Sequence, residues 1–174
     1  VVLLKDTRRA LAVAAALYYG DAPASCPVVG VTGTNGKTTI TYLVESILKA
    51  SGKRPAVFGT VSYRFEDDRR SASHTTPESV DLLRLFAEFR AAGADSLVLE
   101  VSSHALEQDR VESLRFDVGI FTNLTPEHLD YHGDMEGYYS SKARFFSELL
   151  PRYGGTAVIN VDDPYGRRLA TTLT

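Results

Sequence analysis

Cys26 is the only cysteine in the chain, so no internal disulfide can form, and such sparing use of thiols fits a reducing compartment. Positive charge is not in excess either. The net charge is −3, and no basic stripe offers a surface to nucleic acid. No apolar run is long enough to span a membrane. A zinc signature is missing, because neither H-E-x-x-H nor paired cysteines occur. Internal repeats and low-complexity linkers are absent as well. At 174 residues the chain can bury one good core, and its 44% hydrophobic and 24% charged content is ordinary for a soluble globular protein.

One stretch imitates a secretory leader. Arg8 and Arg9 precede an apolar run over residues 10–19, followed by Ala22-Pro23-Ala24-Ser25-Cys26. A leader would open the chain, whereas Val1-Val2-Leu3-Leu4 comes first and reads as a buried strand. The stretch is expected to be a short helix, begun by Asp6 or Thr7 and stopped at Gly20-Asp21. The only methionine is Met135, and residues 164–174 carry a helical pattern. The chain therefore reads as a piece of a longer one, cut at both ends.

The remaining pattern alternates strands with helices. Residues 28–32 read as a fully buried strand and residues 38–50 as a helix ending at Ser51-Gly52. Residues 56–64 read as one strand, followed by a charged turn over residues 66–70. Residues 78–92 form an amphipathic helix closed by Gly93. Residues 96–101 and 116–122 are short apolar runs of the kind buried on both faces of a parallel sheet. Residues 135–150 are expected to be helical, 156–161 a strand, and the chain from Pro164 onward a helix. This order implies an α/β fold, a largely parallel central sheet flanked by helices, with ligands at the carboxyl ends of its strands.

Pro27-Val28-Val29-Gly30-Val31-Thr32-Gly33-Thr34-Asn35-Gly36-Lys37-Thr38-Thr39 carries the chemistry. A β-branched run enters a glycine-rich turn, and Lys-Thr then opens a helical segment, as in a P-loop. The first glycine of G-x-x-x-x-G-K-[ST] falls on Val31, and Gly33 lies two residues later. Backbone N–H groups of such a turn converge on an anion, which the helix N-terminus also favours. Lys37 is placed to reach the β/γ-phosphates and the Thr38 hydroxyl to ligate Mg²⁺. Gly33, Thr34, Asn35, Gly36, Lys37, Thr38 and Thr39 are thus the expected ATP-binding residues. Glu100 ends an apolar strand and precedes two serines, where a P-loop fold puts a second Mg²⁺-binding acid. His128 and His132 are spaced to share one helix face; the plain alternative is a hydrogen-bonded loop pair after Thr125-Pro126. Lys142, on spacing alone, is a surface charge. Arg110 has the planar fork that grips a carboxylate, or else it pairs with Asp109 or Glu112.

Three further segments matter: Glu100-Val101-Ser102-Ser103-His104-Ala105-Leu106; Phe121-Thr122-Asn123-Leu124-Thr125-Pro126-Glu127-His128-Leu129-Asp130-Tyr131-His132-Gly133; and Tyr138-Tyr139-Ser140-Ser141-Lys142. Together with the T-G-T-N-G-K-T-T loop they resemble the Mur ligases, and within them the branch that adds an amino acid to a UDP-N-acetylmuramoyl-dipeptide. The resemblance implies an ATP-dependent ligase joining UDP-N-acetylmuramoyl-L-Ala-D-Glu to a diamino acid through an acyl phosphate. It implies Mg²⁺ held by Thr38, Glu100, His128 and Lys142, with Lys142 carbamylated by CO₂ and Lys37, His128 and Lys142 catalytic. It implies that Thr75, Thr76, Ser102, Gln108 and Arg110 grip the muramoyl-peptide. His74 departs from the asparagine usual before Thr-Thr in this family. The expected division is the end of an N-terminal domain and linker over residues 1–25, then an incomplete central ATP-binding domain over residues 26–174. The implied protein is a cytoplasmic monomer that neither binds nucleic acid nor inserts into membranes. A folylpolyglutamate synthetase, which shares the loop, and a nucleotide-binding piece without turnover are the rival readings; a P-loop kinase or GTPase lacks its base-reading or lid motif here.

Overall fold

The computed structural model describes residues 3–20 and 26–173. Helix α1 (Thr7–Tyr19) begins where the Asp6 side chain accepts from the Arg9 N–H and ends at Gly20 with φ of +79°, a backbone state that glycine adopts freely. Val1, Val2 and residues 21–25, parts of the expected domain end and linker over residues 1–25, lie outside the described residues. Leu3 and Leu4 are 93% and 53% exposed and form no strand. For these two residues the expected buried strand is corrected: among the described residues no neighbouring strand supplies them with hydrogen bonds, and apolar side chains alone do not make one.

Seven strands follow: β1 (Val28–Thr32), β2 (Pro55–Phe58), β3 (Ser62–Phe65), β4 (Asp68–Ser71), β5 (Ser96–Glu100), β6 (Val118–Phe121) and β7 (Thr156–Ile159). They form one sheet in the order β4-β3-β2-β5-β1-β6-β7. The β2-β5-β1-β6-β7 stretch is parallel, and β3 is antiparallel to both its neighbours. Helices α2 (Lys37–Ala50), α3 (Ser79–Ala91), α4 (Ser103–Glu107), α5 (Leu129–His132), α6 (Met135–Arg144) and α7 (Pro164–Leu173) make the connections. From β1 the chain crosses to one side of the sheet, and from β5 it crosses back to the other. The turns after β1 and β5 therefore open into a crevice at the strands' carboxyl ends, where α/β sheets bind ligands.

Packing explains the central strands. Every residue of β1 and of β5 is buried, as a parallel strand covered on both faces requires. Gly30 in mid-strand leaves room for two rings: a Cβ there would sit 2.6 Å from Phe145 and 2.8 Å from Phe116. Those two rings pack edge to face at 4.7 Å. Beyond β2, Phe58 meets Phe89 of α3 at 5.8 Å between centroids.

Three further expectations are corrected. Residues 56–64 are two antiparallel strands rather than one, because Gly59 meets the Glu100 carboxylate so closely that a Cβ would collide with it. The Gly59 N–H then closes a turn onto the Ser62 carbonyl at 3.2 Å. The charged stretch 66–70 turns only at Glu66 and Asp67; from Asp68 it pairs with β3 as an edge strand. Residues 135–150 do not form one α-helix. After Arg144 the chain widens into a π-helical turn, Phe145–Leu149, which brings Phe145, Phe146, Leu149 and Leu150 all into the core. Among the described residues, no helix is long and apolar enough to cross a membrane.

Candidate active site

The loop between β1 and α2 is shaped by two glycines. Gly33 has φ of +141°, and a Cβ on it would collide with the Thr122 hydroxyl; Gly36, at φ +84°, precedes the first turn of α2. Asn123 fastens the loop from β6, its Oδ1 accepting from the Asn35 N–H at 3.0 Å and its Nδ2 donating to the Asn35 carbonyl at 3.1 Å. The Thr34 N–H donates to the Asn123 carbonyl at 2.9 Å, and the Thr34 hydroxyl lies 3.2 Å from the Tyr138 hydroxyl. Thr39 and Gly36, with Ile40, Val158 and Asn160, line an adjacent cavity of about 490 Å³.

Two lysines converge on this loop. Lys37 Nζ donates to the carbonyls of Gly33 at 3.0 Å and Thr34 at 2.7 Å. Lys142 Nζ, from α6, donates to the same Gly33 carbonyl at 3.0 Å and lies 4.8 Å from the Tyr138 ring centroid. Lys142 is 1% exposed. Burial pulls its pKa down to about 7; the charge of Lys37 adds to the fall and Glu127 opposes it. Burial lowers Lys37 too, against Glu100 and Glu127. Lys142 is therefore no surface lysine, the reading its spacing alone favoured.

Glu100 is 1% exposed at the end of β5. It accepts from Thr38 Oγ1 at 2.9 Å, and from the Thr60 N–H at 3.2 Å and hydroxyl at 2.9 Å. Thr60 Oγ1 in turn lies 3.0 Å from Thr75 Oγ1. A hydrogen-bonded line thus runs from the start of α2, beside the glycine loop, through Glu100 to Thr75. Thr76 continues it: its hydroxyl lies 2.7 Å from the Glu100 carbonyl and 3.2 Å from Ser102 Oγ. Ser102 Oγ also caps α4, accepting from the Ala105 N–H at 3.2 Å. Arg110 donates to the Thr76 carbonyl at 3.0 Å, to Gln108 Oε1 at 2.7 Å from Nη2 and 3.1 Å from Nε, and pairs with Glu78 at 2.8 Å. The alternative partners Asp109 and Glu112 belong instead to Arg144 and, for Glu112, to Arg9 and Arg152.

His128 and His132 do not share a helix face. His128 stands before α5 with φ of +55°; it is half exposed, 3.9 Å from the Glu127 carboxylate. His132 ends α5, its Nε2 2.9 Å from Ser103 Oγ. His104, which the sequence did not single out, packs between them, its ring 4.8 Å from His128 and 5.6 Å from His132. Burial first, then the neighbouring histidine, pulls His104 and His132 below the usual imidazole range.

The site tests its own fit to a metal. Thr38 and Glu100 are brought together as hard oxygen donors suited to Mg²⁺. Among the described residues no group of three or more His, Cys, Asp or Glu is gathered for a metal. Lys142 as an ammonium would repel a cation, and only as a carbamate would it offer an oxygen donor. Sequence pattern does not single out Thr60, Asn123 or Glu127 as site residues. Asn123 and Tyr138 stand inside the three segments, but their partners Asn35 and Thr34 lie far off in the sequence; for Thr60 no local signal exists.

Comparison with known proteins converges on one family. The model of the Mur ligase middle domain matches residues 31–174. The UDP-N-acetylmuramoyl-L-alanyl-D-glutamate–2,6-diaminopimelate ligase of Geobacter metallireducens is 59% identical over 172 residues, covering 95% of this chain and 33% of that protein. The ligase of the same name from Geobacter sulfurreducens is 56% identical over 171 residues, covering 96% and 34%. A solved structure of a 2,6-diaminopimelate ligase superposes with a TM-score of 0.85 at 31% identity, over 98% of this chain and 34% of that one. Folylpolyglutamate synthase of Mycobacterium tuberculosis, complexed with ADP, shares the fold at TM-score 0.73 and 20% identity, over 96% and 43%. The chain thus spans about a third of the length of the curated relatives it matches.

Proposed function

The chain belongs to the Mur ligase family, and from that premise we propose that it is the central, ATP-binding part of a ligase. That ligase joins UDP-N-acetylmuramoyl-L-Ala-D-Glu to a diamino acid, diaminopimelate being the amine its relatives are named for. The main support is the line Thr38–Glu100–Thr60–Thr75, which ties the start of α2, beside the glycine loop, to the residues proposed to hold the acceptor.

In this reading the N–H groups of the loop, Gly33 to Thr39, cradle the ATP phosphates, and the adjacent cavity takes the base. Lys37 exchanges its two carbonyl partners for phosphate oxygens, which a cation favours. Thr38 and Glu100 would hold Mg²⁺, which neutralises phosphate charge when bound. Lys142, partly neutral near pH 7, has the lone pair to attack CO₂. The carbon–nitrogen bond forms, a proton leaves the amine to solvent, and an anionic carbamate results. That group would add an anionic oxygen donor suited to Mg²⁺. Thr75, Thr76, Ser102, Gln108 and Arg110 orient the muramoyl-peptide. Its terminal carboxylate takes the γ-phosphoryl group of ATP and ADP leaves; the neutral amine of the diamino acid attacks the acyl phosphate, phosphate leaves as the amide forms, and the amine's proton passes to solvent.

Residues 1–25 are read as the end of a preceding domain with its linker, and residues 26–174 as part of the central domain. The whole protein is read as a cytoplasmic monomer, with the choice of amine made in a C-terminal domain. Phosphate release by the whole protein tests this reading. Release should require ATP, the muramoyl-dipeptide and diaminopimelate together; equal release without the dipeptide would contradict it.

A further inference from the structure

Arg110 is buried, and its donors are nearly all engaged. A guanidinium carries five N–H groups. Nε and one Nη2 proton go to Gln108 Oε1 at 3.1 and 2.7 Å, an Nη1 proton goes to the Thr76 carbonyl at 3.0 Å, and Glu78 Oε1 stands 2.8 Å from Nη2 as an ion-pair partner. One Nη1 proton remains. A carboxylate held through two parallel bonds needs two donors, so one resident acceptor has to leave.

Glu78 is the acceptor free to move. The Thr76 carbonyl is backbone of a buried residue, and Gln108 sits two residues from Arg110 on the same turn. The Glu78 side chain is 39% exposed, and its second oxygen is 3.5 Å from Arg8 Nη1. Arg8 belongs to α1, which packs against α3, the helix Glu78 precedes. Arg8 Nη1 also reaches Gln108 Oε1 at 3.3 Å. Two guanidinium groups therefore share one carboxylate. The cluster carries one unpaired positive charge, and a second carboxylate would pair both cations.

We propose that Glu78 is an exchangeable stand-in for the substrate carboxylate: it holds Arg110 in place, then passes to Arg8 when the muramoyl-dipeptide arrives. This rests on the reading of Arg110 as a dipeptide-binding residue. Arg8 is then a positioning residue on α1, acting through Glu78. No bond is made or broken; one ion pair replaces another.

The test is a double-mutant cycle in the whole protein, read by calorimetric binding of the muramoyl-dipeptide and, separately, by its KM and that of ATP. Glu78→Gln removes the competitor, so dipeptide binding should tighten at least threefold with the KM for ATP unchanged. Arg8→Gln leaves Glu78 no second partner, so dipeptide binding should weaken at least threefold. In the Glu78→Gln background, the effect of Arg8→Gln should fall below twofold. Weaker binding in Glu78→Gln, or an Arg8→Gln effect equal in both backgrounds, would overturn the exchange. A wild-type protein that binds the dipeptide with these responses but releases no phosphate would refute the ligase reading and leave the exchange standing. Failure of the wild type to bind the dipeptide at all would overturn both.

Discussion

Replacing Lys142 by methionine should convert a pH-dependent stability into one that lacks this dependence. The ammonium is buried, and its pKa falls from 10.5 in its ordinary setting to about 7 in the folded chain. Between those two values the unfolded chain holds a proton that the folded chain has released, so stability rises with pH across that window. Below about pH 7 both states are charged and the full cost of burying the ammonium is present. Above 10.5 neither state is charged and the cost is gone. At about 1.36 kcal/mol per unit, the shift is worth about 5 kcal/mol. Methionine has similar reach and no charge, so it removes that cost. It also takes one donor from the Gly33 carbonyl, which still receives Lys37 at 3.0 Å; this loss is about 1 kcal/mol, the net worth of one hydrogen bond. The variant should therefore be about 4 kcal/mol more stable than the wild type near pH 6. The advantage should shrink steadily and vanish to within about 1 kcal/mol near pH 10. Urea unfolding of both proteins across that range, free of nucleotide and bicarbonate, measures it. A difference that stays constant with pH would refute the reasoning, since only titration of Lys142 makes it vary.

Other perturbations separate the loop, the core and the proposed carbamate. Lys37→Ala should abolish phosphoryl transfer and weaken ATP binding, measured by nucleotide titration, while leaving the far-ultraviolet circular dichroism unchanged. Gly30→Ala forces a methyl into the contact between Phe145 and Phe116, and overpacking of this kind should cost about 1–3 kcal/mol by chemical denaturation. Arg64→Ala removes the buried partner of Glu45, which donates to it at 3.2 Å from Nε; Glu45 keeps Lys49 at 2.8 Å, so the loss should fall near 3 kcal/mol, the low end for a broken buried pair. Lys142→Arg keeps the charge but cannot form the carbamate, so it should lose turnover that added bicarbonate fails to restore, measured as phosphate release.

The order of elements was readable because each repeated a local signal. A buried β-branched run gave β1, a short apolar run gave β5, and the glycine turn before Lys37 gave the start of α2. Local signals failed where a distant group decided the outcome. The chain breaks at Gly59 because the Glu100 carboxylate, forty-one residues later in the sequence, occupies the space of a side chain. The π-helical turn at Phe145 is set by the rings packed beneath Gly30 and Gly119. At the site, the loop and Glu100 were legible as residue types in a pattern. Thr60 was not, because what marks it is contact with Glu100. Lys142 looked like any helical lysine, and only its burial against Lys37 sets it apart. Arg110 was legible as a carboxylate fork, but its occupation by Glu78 and the approach of Arg8 were not.

The central claim is that a carboxylate is activated by phosphoryl transfer at this loop. Oxygen-18 placed in the terminal carboxylate of the muramoyl-dipeptide tests it most directly, with the whole protein, ATP and diaminopimelate, and mass analysis of the phosphate released. An acyl phosphate breaks at the carbonyl carbon when the amine attacks, so one labelled oxygen should leave with each phosphate formed. Phosphate that carries no label while the amide forms would contradict the account.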